Sequence, residues 1–369
     1  MIAIQLISAR IGRVTGRGIA GNMRQHYPAK LVYLLIALLV FANTVNIAAD
    51  IAAMGDALRL VVGGSQHINA IIFGLLCLVL QIYVPYRRFA SILKWFTLSL
   101  FAYVGVLFTV QIPWGDVVYR TAFPSVSLSG DFIMNVVAVF GTTISPYLFF
   151  WQASQEVEEQ RASAQDQPLI NAPRQASVQL QRLKIDTVIG MVFSNAIAFF
   201  IILTAAVTLH RQGITDIQTS AQAAEALRPI VGDFAFHLFA AGIIGTGLLA
   251  VPILASSAAY AVSEVLGWRN GLNLKSMEAK GFYGIVAAAT IIGTLLGFTP
   301  IDPIKALYWS AVINGVIAVP IMAMLMVMAA DKSIMQQFVI SLRLKALGWV
   351  ATLVMGLVAV AMFIAIFAT

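Results

Sequence analysis

Long apolar runs separated by short charged stretches organise this chain. About 20 apolar residues are needed for a helix to cross a bilayer. Runs of that kind predict nine helical spans, at 31–62, 68–86, 92–113, 131–155, 185–208, 231–265, 282–299, 304–329 and 346–367. The longer runs call for tilt or a break. Ahead of them, residues 1–9 read MIAIQLISA. As helix they rise roughly 14 Å, about half of a hydrocarbon core. They read as the tail of a spanning helix whose beginning is missing. No basic lead and no cleavage site accompany them, so a signal peptide is not predicted.

Charge gathers in the connections. With the 9–30 loop placed in the cytoplasm, alternation puts 82–95, 156–184, 266–280 and 330–345 on the same side. Those loops hold 18 of the 23 Lys and Arg residues. Only Arg59, Arg120, Arg211, Arg228 and Lys305 fall opposite. This is the positive-inside asymmetry, and it supports both the span count and the orientation. Trp95, Trp114, Trp268 and Trp349 fall near span ends, as an aromatic belt requires. The net charge of +7 is thus a topology signal, and nucleic acid is not an expected partner. Sixty per cent hydrophobic and 11% charged residues lie far outside soluble averages. The single Cys77 excludes an intrachain disulfide and a paired-cysteine metal site. The prediction is an all-α, multi-pass integral protein of the cell's inner (plasma) membrane. Residues 1–369 form one domain, with 156–184 as a polar cytoplasmic loop. Its opening run of Glu156, Glu158 and Glu159 reads as a solvated helix end.

Three spans carry residues that a membrane penalises. In the first, Asn43, Asn46 and Asp50 follow one another at spacings of three and four, which puts them on one helical face. An ionised carboxylate at the depth of Asp50 costs about 2.5 kcal/mol or more on insertion scales, which makes it a candidate ion ligand or proton relay. A hydrogen-bonded structural acid is the plainer alternative. The second span contains Gly141-Thr142-Thr143-Ile144-Ser145-Pro146 at its centre, with Gln152, Gln155 and Glu156 beyond. Pro146 has no amide proton, so the Thr142 carbonyl loses its helical partner. Open backbone inside a bilayer is tolerated only where protein covers it or it lines a water-filled cavity. Transporters use such breaks to hold an ion or solute, although an ordinary proline kink uses the same residues. The third span holds Gly245-Thr246-Gly247 and Val251-Pro252 before Ser256-Ser257, and close packing through small residues is expected there. His237, near its start, reads as a packed or interfacial histidine.

Two of these stretches resemble the NRAMP family of divalent-metal transporters. Asn43-Thr44-Val45-Asn46-Ile47-Ala48-Ala49-Asp50 is similar to the family's third helix. Gly141-Thr142-Thr143-Ile144-Ser145-Pro146-Tyr147 is similar to its broken sixth helix, usually GATVMPH. Ile7-Ser8-Ala9-Arg10-Ile11-Gly12 and Thr15-Gly16 resemble the end of the second helix and the loop after it. The likeness runs from Met1 to about Ala330. It implies a LeuT-type inverted-repeat transporter, here with about nine full spans and a partial N-terminal helix. Metal would be held between broken first and sixth helices. By that resemblance the Thr142 carbonyl and the Ser145 side chain are the candidate metal ligands. Asp50, Asn43, Asn46 and Tyr147 are candidates for a proton or ion pathway.

The departures from the family pattern carry their own expectations. The family's first helix bears a DPGN-type break, and no such helix is present in this sequence; a mis-called start is the expected reason. Ser145 stands where the family places a methionine and Tyr147 where it places a histidine. Thioether ligands favour soft transition metals, whereas hydroxyl and carbonyl oxygens suit magnesium, calcium or manganese. Ala53 replaces a common Glu, and Gly281-Phe282-Tyr283-Gly284 lacks the arginines that open the family's ninth helix. Asp50 therefore remains as the one strong proton-relay candidate, and coupling is expected to be weak or lost. The metal is expected as cargo, with no resident cofactor, and the bilayer and protons as the other partners. Two other transport-side readings are an organic-solute symporter of the same architecture and a non-transporting remnant. An intramembrane enzyme is not expected, because His26, His67, His210 and His237 lie in loops or near helix ends and no two carboxylates share a membrane face.

Overall fold

The computed structural model describes residues 1–84, 91, 95–127, 129–163, 165–210, 213–214, 216–217, 219–299 and 302–368. Arg87, Arg88, Lys94 and Arg211 of the charge asymmetry, and the first residues of the 92–113 span, lie outside the described residues. All regular structure among the described residues is helical. In chain order the main helices are α1 (Ile2–Thr15), α2 (Ile19–His26), α3 (Ala29–Val62) and α4 (Gln66–Tyr83). Next come α5 (Phe101–Val106), α6 (Trp114–Ala122), α7 (Gly130–Thr143) and α8 (Pro146–Ala162). The last five are α9 (Ala176–Thr208), α10 (Ala235–Leu266), α11 (Lys280–Leu296), α12 (Pro303–Ala330) and α13 (Leu342–Ala368).

Among the described residues seven helical segments are long and apolar enough to span a membrane, with α7 and α8 counted as one; α11 is a shorter apolar helix of 17 residues. The predicted 92–113 span takes another form. A 3-10 turn, Phe96–Leu100, leads into the six-residue α5, which ends well short of a crossing length. Trp-Gly-Asp at the start of α6 then opens a separate amphipathic helix with no buried residue.

The helices divide into a buried centre and an apolar exterior. α3, α10 and α12 form the centre. The small residues predicted to pack closely do so: α10 runs unbroken through Pro252, and a Cβ at Gly247 would come within 2.7 Å of Met54 on α3. On α4 and α13 the pattern is turned outward. Ile68, Ile71, Ile72, Leu75 and Val79 are exposed along one face of α4, as are Leu347, Val350, Leu353, Leu357 and Ile364 on α13. A soluble helix hides such a stripe; a membrane helix presents it to lipid.

The segment 156–184 is mostly helix. α8 continues to Ala162 and α9 starts at Ala176, leaving a short connection that packs on α1. There the Leu169 and Ile170 amides donate to the carbonyls of Arg13 and Val14, at 3.3 and 3.2 Å. The acidic run is not a solvated helix end. Glu156 and Glu158 are buried. Arg182 bonds Glu156 at 2.9 Å and Glu159 at 2.7 Å. Glu158 accepts from the Leu272 amide at 2.6 Å and from the Tyr260 hydroxyl. Ionised groups leave water at high cost unless they are paired, and each of these has found partners from another element.

Candidate functional site

The break predicted from the sequence is present between α7 and α8. A residue before proline is pushed out of the helical region by the ring, and Ser145 accordingly adopts extended backbone, φ −84° and ψ 129°. Pro146 then serves as the first residue of α8, where its missing N–H is no loss. Ile144 closes α7 by donating its amide to the Phe140 carbonyl at 2.7 Å. The Ser145 hydroxyl lies 2.7 Å from the Gly141 carbonyl and 3.3 Å from the Thr142 carbonyl. It thus takes the place of the amides that Pro146 and the turn withdraw.

The two arms of the broken helix rest on different neighbours. α7 lies against α12 with almost no clearance: a Cβ on Gly141 would run into the Ala311 carbonyl oxygen and come within 2.6 Å of the Gly315 amide nitrogen. α8 lies against α1 and α10. The Ser8 hydroxyl donates to the Phe149 carbonyl, Gly12 leaves room for the Ala153 backbone, and the Ser257 hydroxyl donates to the Tyr147 carbonyl at 2.9 Å. Gln5 adds bonds to the Leu148 carbonyl and the Gln152 side chain at 3.2 and 3.4 Å. The seam between these two supports runs through residues 144–146.

Of the candidate ligands, Ser145 is buried at 2% exposure whereas Thr142 is exposed. Their oxygens nonetheless meet at one point through the 3.3 Å contact. Tyr147 is half-buried on the first turn of α8. Asp50, also half-buried, lies within electrostatic reach of Tyr147 and of Cys77 on α4. Its carboxylate makes no hydrogen bond or ion pair among the described residues. The two amides share a helix with Asp50 but have other engagements. Asn43 is fully buried and donates to the Leu254 carbonyl of α10 at 2.9 Å, leaving its own Oδ1 without a partner among the described residues. Asn46 exchanges a reciprocal pair of bonds with Asn314 of α12, at 2.9 and 3.0 Å. Both tie the central helices together. Asn314 was not among the sequence candidates, and its signal was a lone amide in an otherwise apolar span.

Among the described residues no three His, Cys, Asp or Glu side chains gather into a metal-holding set. The oxygen donors at this seam are carbonyls and a hydroxyl, with one free carboxylate nearby. His237 is exposed and stacks on Phe234 with ring centroids 5.2 Å apart.

A helix broken at mid-course within a multi-pass helical bundle is a feature of secondary transporters. The family model for natural resistance-associated macrophage protein-like proteins, Nramp, matches residues 1–365, and the chain belongs to that family. The divalent metal cation transporter MntH of Xanthomonas campestris pv. campestris is 27% identical over 254 residues, which are 67% of this chain and 55% of that protein. The match therefore spans little more than half the length of that relative. A crystal structure of the Eremococcus coleocola manganese transporter, in complex with an aromatic bis-isothiourea compound, superposes with a TM-score of 0.76. It is 14% identical, covering 97% of this chain and 76% of that one. Mutant structures of the same transporter give 0.75 at 15% identity, covering 99% and 78%. These likenesses establish the shared fold.

Proposed function

We propose that this protein carries divalent metal cations across the cytoplasmic membrane by alternating access around the break at Gly141–Pro146. The observation that carries the reading is the seam itself. Two arms of one helix rest on separate supports, and the carbonyl and hydroxyl oxygens of Thr142 and Ser145 converge where they part. Family membership and the names of its relatives, a divalent metal cation transporter and a manganese transporter, support the cargo class.

Hydroxyl and carbonyl oxygens without a thioether favour hard ions, so manganese and magnesium are the expected cargo, ahead of iron or cadmium. Magnesium gives up its water slowly and would be held with part of its hydration shell. Thr142 and Ser145 are the proposed metal ligands. Asp50, with Tyr147 beside it, is the proposed relay for weak proton coupling. Asn43 and Asn46 flank that path chiefly as helix fasteners.

The test is counterflow in proteoliposomes. Vesicles preloaded with unlabelled manganese should accumulate labelled manganese, with magnesium competing and amino acids without effect. Amino-acid competition would transfer the protein to the organic-solute symporters, and absence of counterflow would leave a non-transporting remnant. In the same vesicles Asp50→Asn should remove whatever pH dependence the uptake has. PH-independent uptake before and after the change would assign Asp50 to structure or cation binding.

A further inference from the structure

Arg10, Lys184 and Arg343 line one cleft of about 930 Å³ between α1, α9 and α13. Arg10 stands toward the carboxyl end of α1, whereas Lys184 and Arg343 stand toward the amino ends of α9 and α13. The three cations therefore share one mouth, and the apolar lining runs away from it past Met191, Val192, Leu347 and Ala351. From Lys184 to Asn195 the wall of α9 rises roughly 16 Å. That is close to the hydrocarbon depth of one leaflet, about half of a 30 Å core. At the far end the Asn195 amide approaches the Met1 sulfur at 3.8 Å.

The charges at the mouth are not neutralised by the protein. Arg10 donates from Nε and Nη2 to the carbonyls of Phe338 and Val339, at 3.0 and 3.4 Å, which fixes its guanidinium without cancelling its charge. Lys184 and Arg343 are exposed and make no hydrogen bond or ion pair among the described residues. α1 and α13 contain no Asp or Glu. The acid nearest in sequence on α9, Asp186, acts on Arg182. A second cavity of about 410 Å³, lined by Leu180 and Gln181, adjoins the mouth at Arg10 and Lys184. The positive-inside orientation places this mouth at the cytoplasmic face, where anionic lipids and juxtamembrane cations attract one another.

We propose that the cleft binds an anionic phospholipid of the cytoplasmic leaflet. Its phosphate sits among Arg10, Lys184 and Arg343, and one acyl chain lies along the apolar wall of α9 and α13. The occupant combines a negative head with an apolar tail because the cleft's three cationic side chains gather at one end and a leaflet's depth of mostly apolar side chains runs away from them.

Native mass spectrometry of the purified full chain, titrated with phosphatidylglycerol or with phosphatidylcholine of the same acyl composition, tests the proposal independently of transport. Phosphatidylglycerol should be retained in preference to phosphatidylcholine. The double variant Lys184→Gln/Arg343→Gln should bind it roughly 30-fold more weakly, given the usual contribution of one cation near a membrane surface. Lys345→Gln, which changes a cation outside the cleft, should leave retention unchanged. Ala351→Trp should expel the lipid by filling the acyl path; should that variant misfold, the exposed double variant still decides. Equal retention of the two lipids, or undiminished retention by the double variant, overturns the proposal. So does displacement of the lipid by millimolar inorganic phosphate, which would mean that only a free anion is recognised.

Discussion

The two ends of α8 solve the problem of polarity in a membrane in opposite ways. Its amino end begins at an extended Ser145 whose hydroxyl serves two carbonyls, beside an exposed Thr142 and an Asp50 carboxylate without a bond of its own among the described residues. Its carboxyl end carries Glu156, Glu158 and Glu159, each met by a partner from another element. Gln160 extends the anchorage by donating to the Arg13 carbonyl at 2.5 Å, and Arg13 is fully buried with Asp166 at 2.9 Å. One end is fastened and the other is left with oxygens to spare. Polar groups in hydrocarbon are costly enough that unfastened ones imply use, whereas a fastened cluster near the interface implies anchorage. α8 is in that sense a lever, pinned at its carboxyl end and free at its amino end.

The comparison predicts effects of different kinds at the two ends. The largest loss of stability belongs to the pinned end. In Asp166→Asn, the buried Arg13 guanidinium, whose Nε and Nη1 already lack partners among the described residues, loses the one carboxylate that it bonds among those residues. Removing one member of a buried ion pair leaves an uncompensated charge, and about 3 kcal/mol is expected here. Unfolding of the purified protein in a denaturing-detergent titration measures it; unchanged stability would show that Arg13 is hydrated and pins nothing. Next in size is Gly141→Ala, where a methyl group would meet the Ala311 backbone. Overpacking of this kind costs about 2 kcal/mol. Because it acts on the contact between α7 and α12, counterflow should fall further than stability does. Gly190→Ala, with open space around it on α9, is the control and should change neither.

A smaller effect is expected at the free end itself. Ser145→Ala removes a hydroxyl bonded to the Gly141 carbonyl and should cost about 1 kcal/mol. Ser145→Met, which also supplies a thioether, should raise cadmium or iron transport relative to magnesium in the same vesicles. An unchanged order of ions would remove Ser145 from the proposed ligand set and leave the free end to its carbonyls.

The free end was the legible one. A proline dictates the backbone of the residue before it, so Ser145-Pro146 marked the break from local sequence alone, and apolar runs located most of the spans. The pinned end was not legible. Arg13, Asp166, Arg182, Tyr260 and Leu272 come to it from α1, from the connection before α9, from α9, from α10 and from the loop beyond. No local pattern shows that an acidic run will meet such partners, so Glu156, Glu158 and Glu159 read as solvated. The 92–113 segment misled for a related reason. Its composition suits a span, but hydropathy carries no information on whether the backbone continues as α-helix past Val106.

The pair Asn46 and Asn314 lies between the two kinds of polarity and gives the finest test. Both amides are engaged with each other, at 2.9 and 3.0 Å, yet Asn46 stands on the face of α3 that also carries Asp50. If the pair is a fastener only, a double-mutant cycle with Asn46→Ala and Asn314→Ala should return a coupling of about 0.6 kcal/mol, typical of interhelical bonds in membranes. Counterflow should then fall no further in the double variant than in either single one, because each substitution breaks the same clasp. If Asn46 also meets the cation, Asn46→Ala should raise the manganese concentration needed for half-maximal counterflow while Asn314→Ala does not. That asymmetry would move the boundary between the two regions of the molecule, placing Asn46 with the free end of α8 instead of with the clasp that joins α3 to α12.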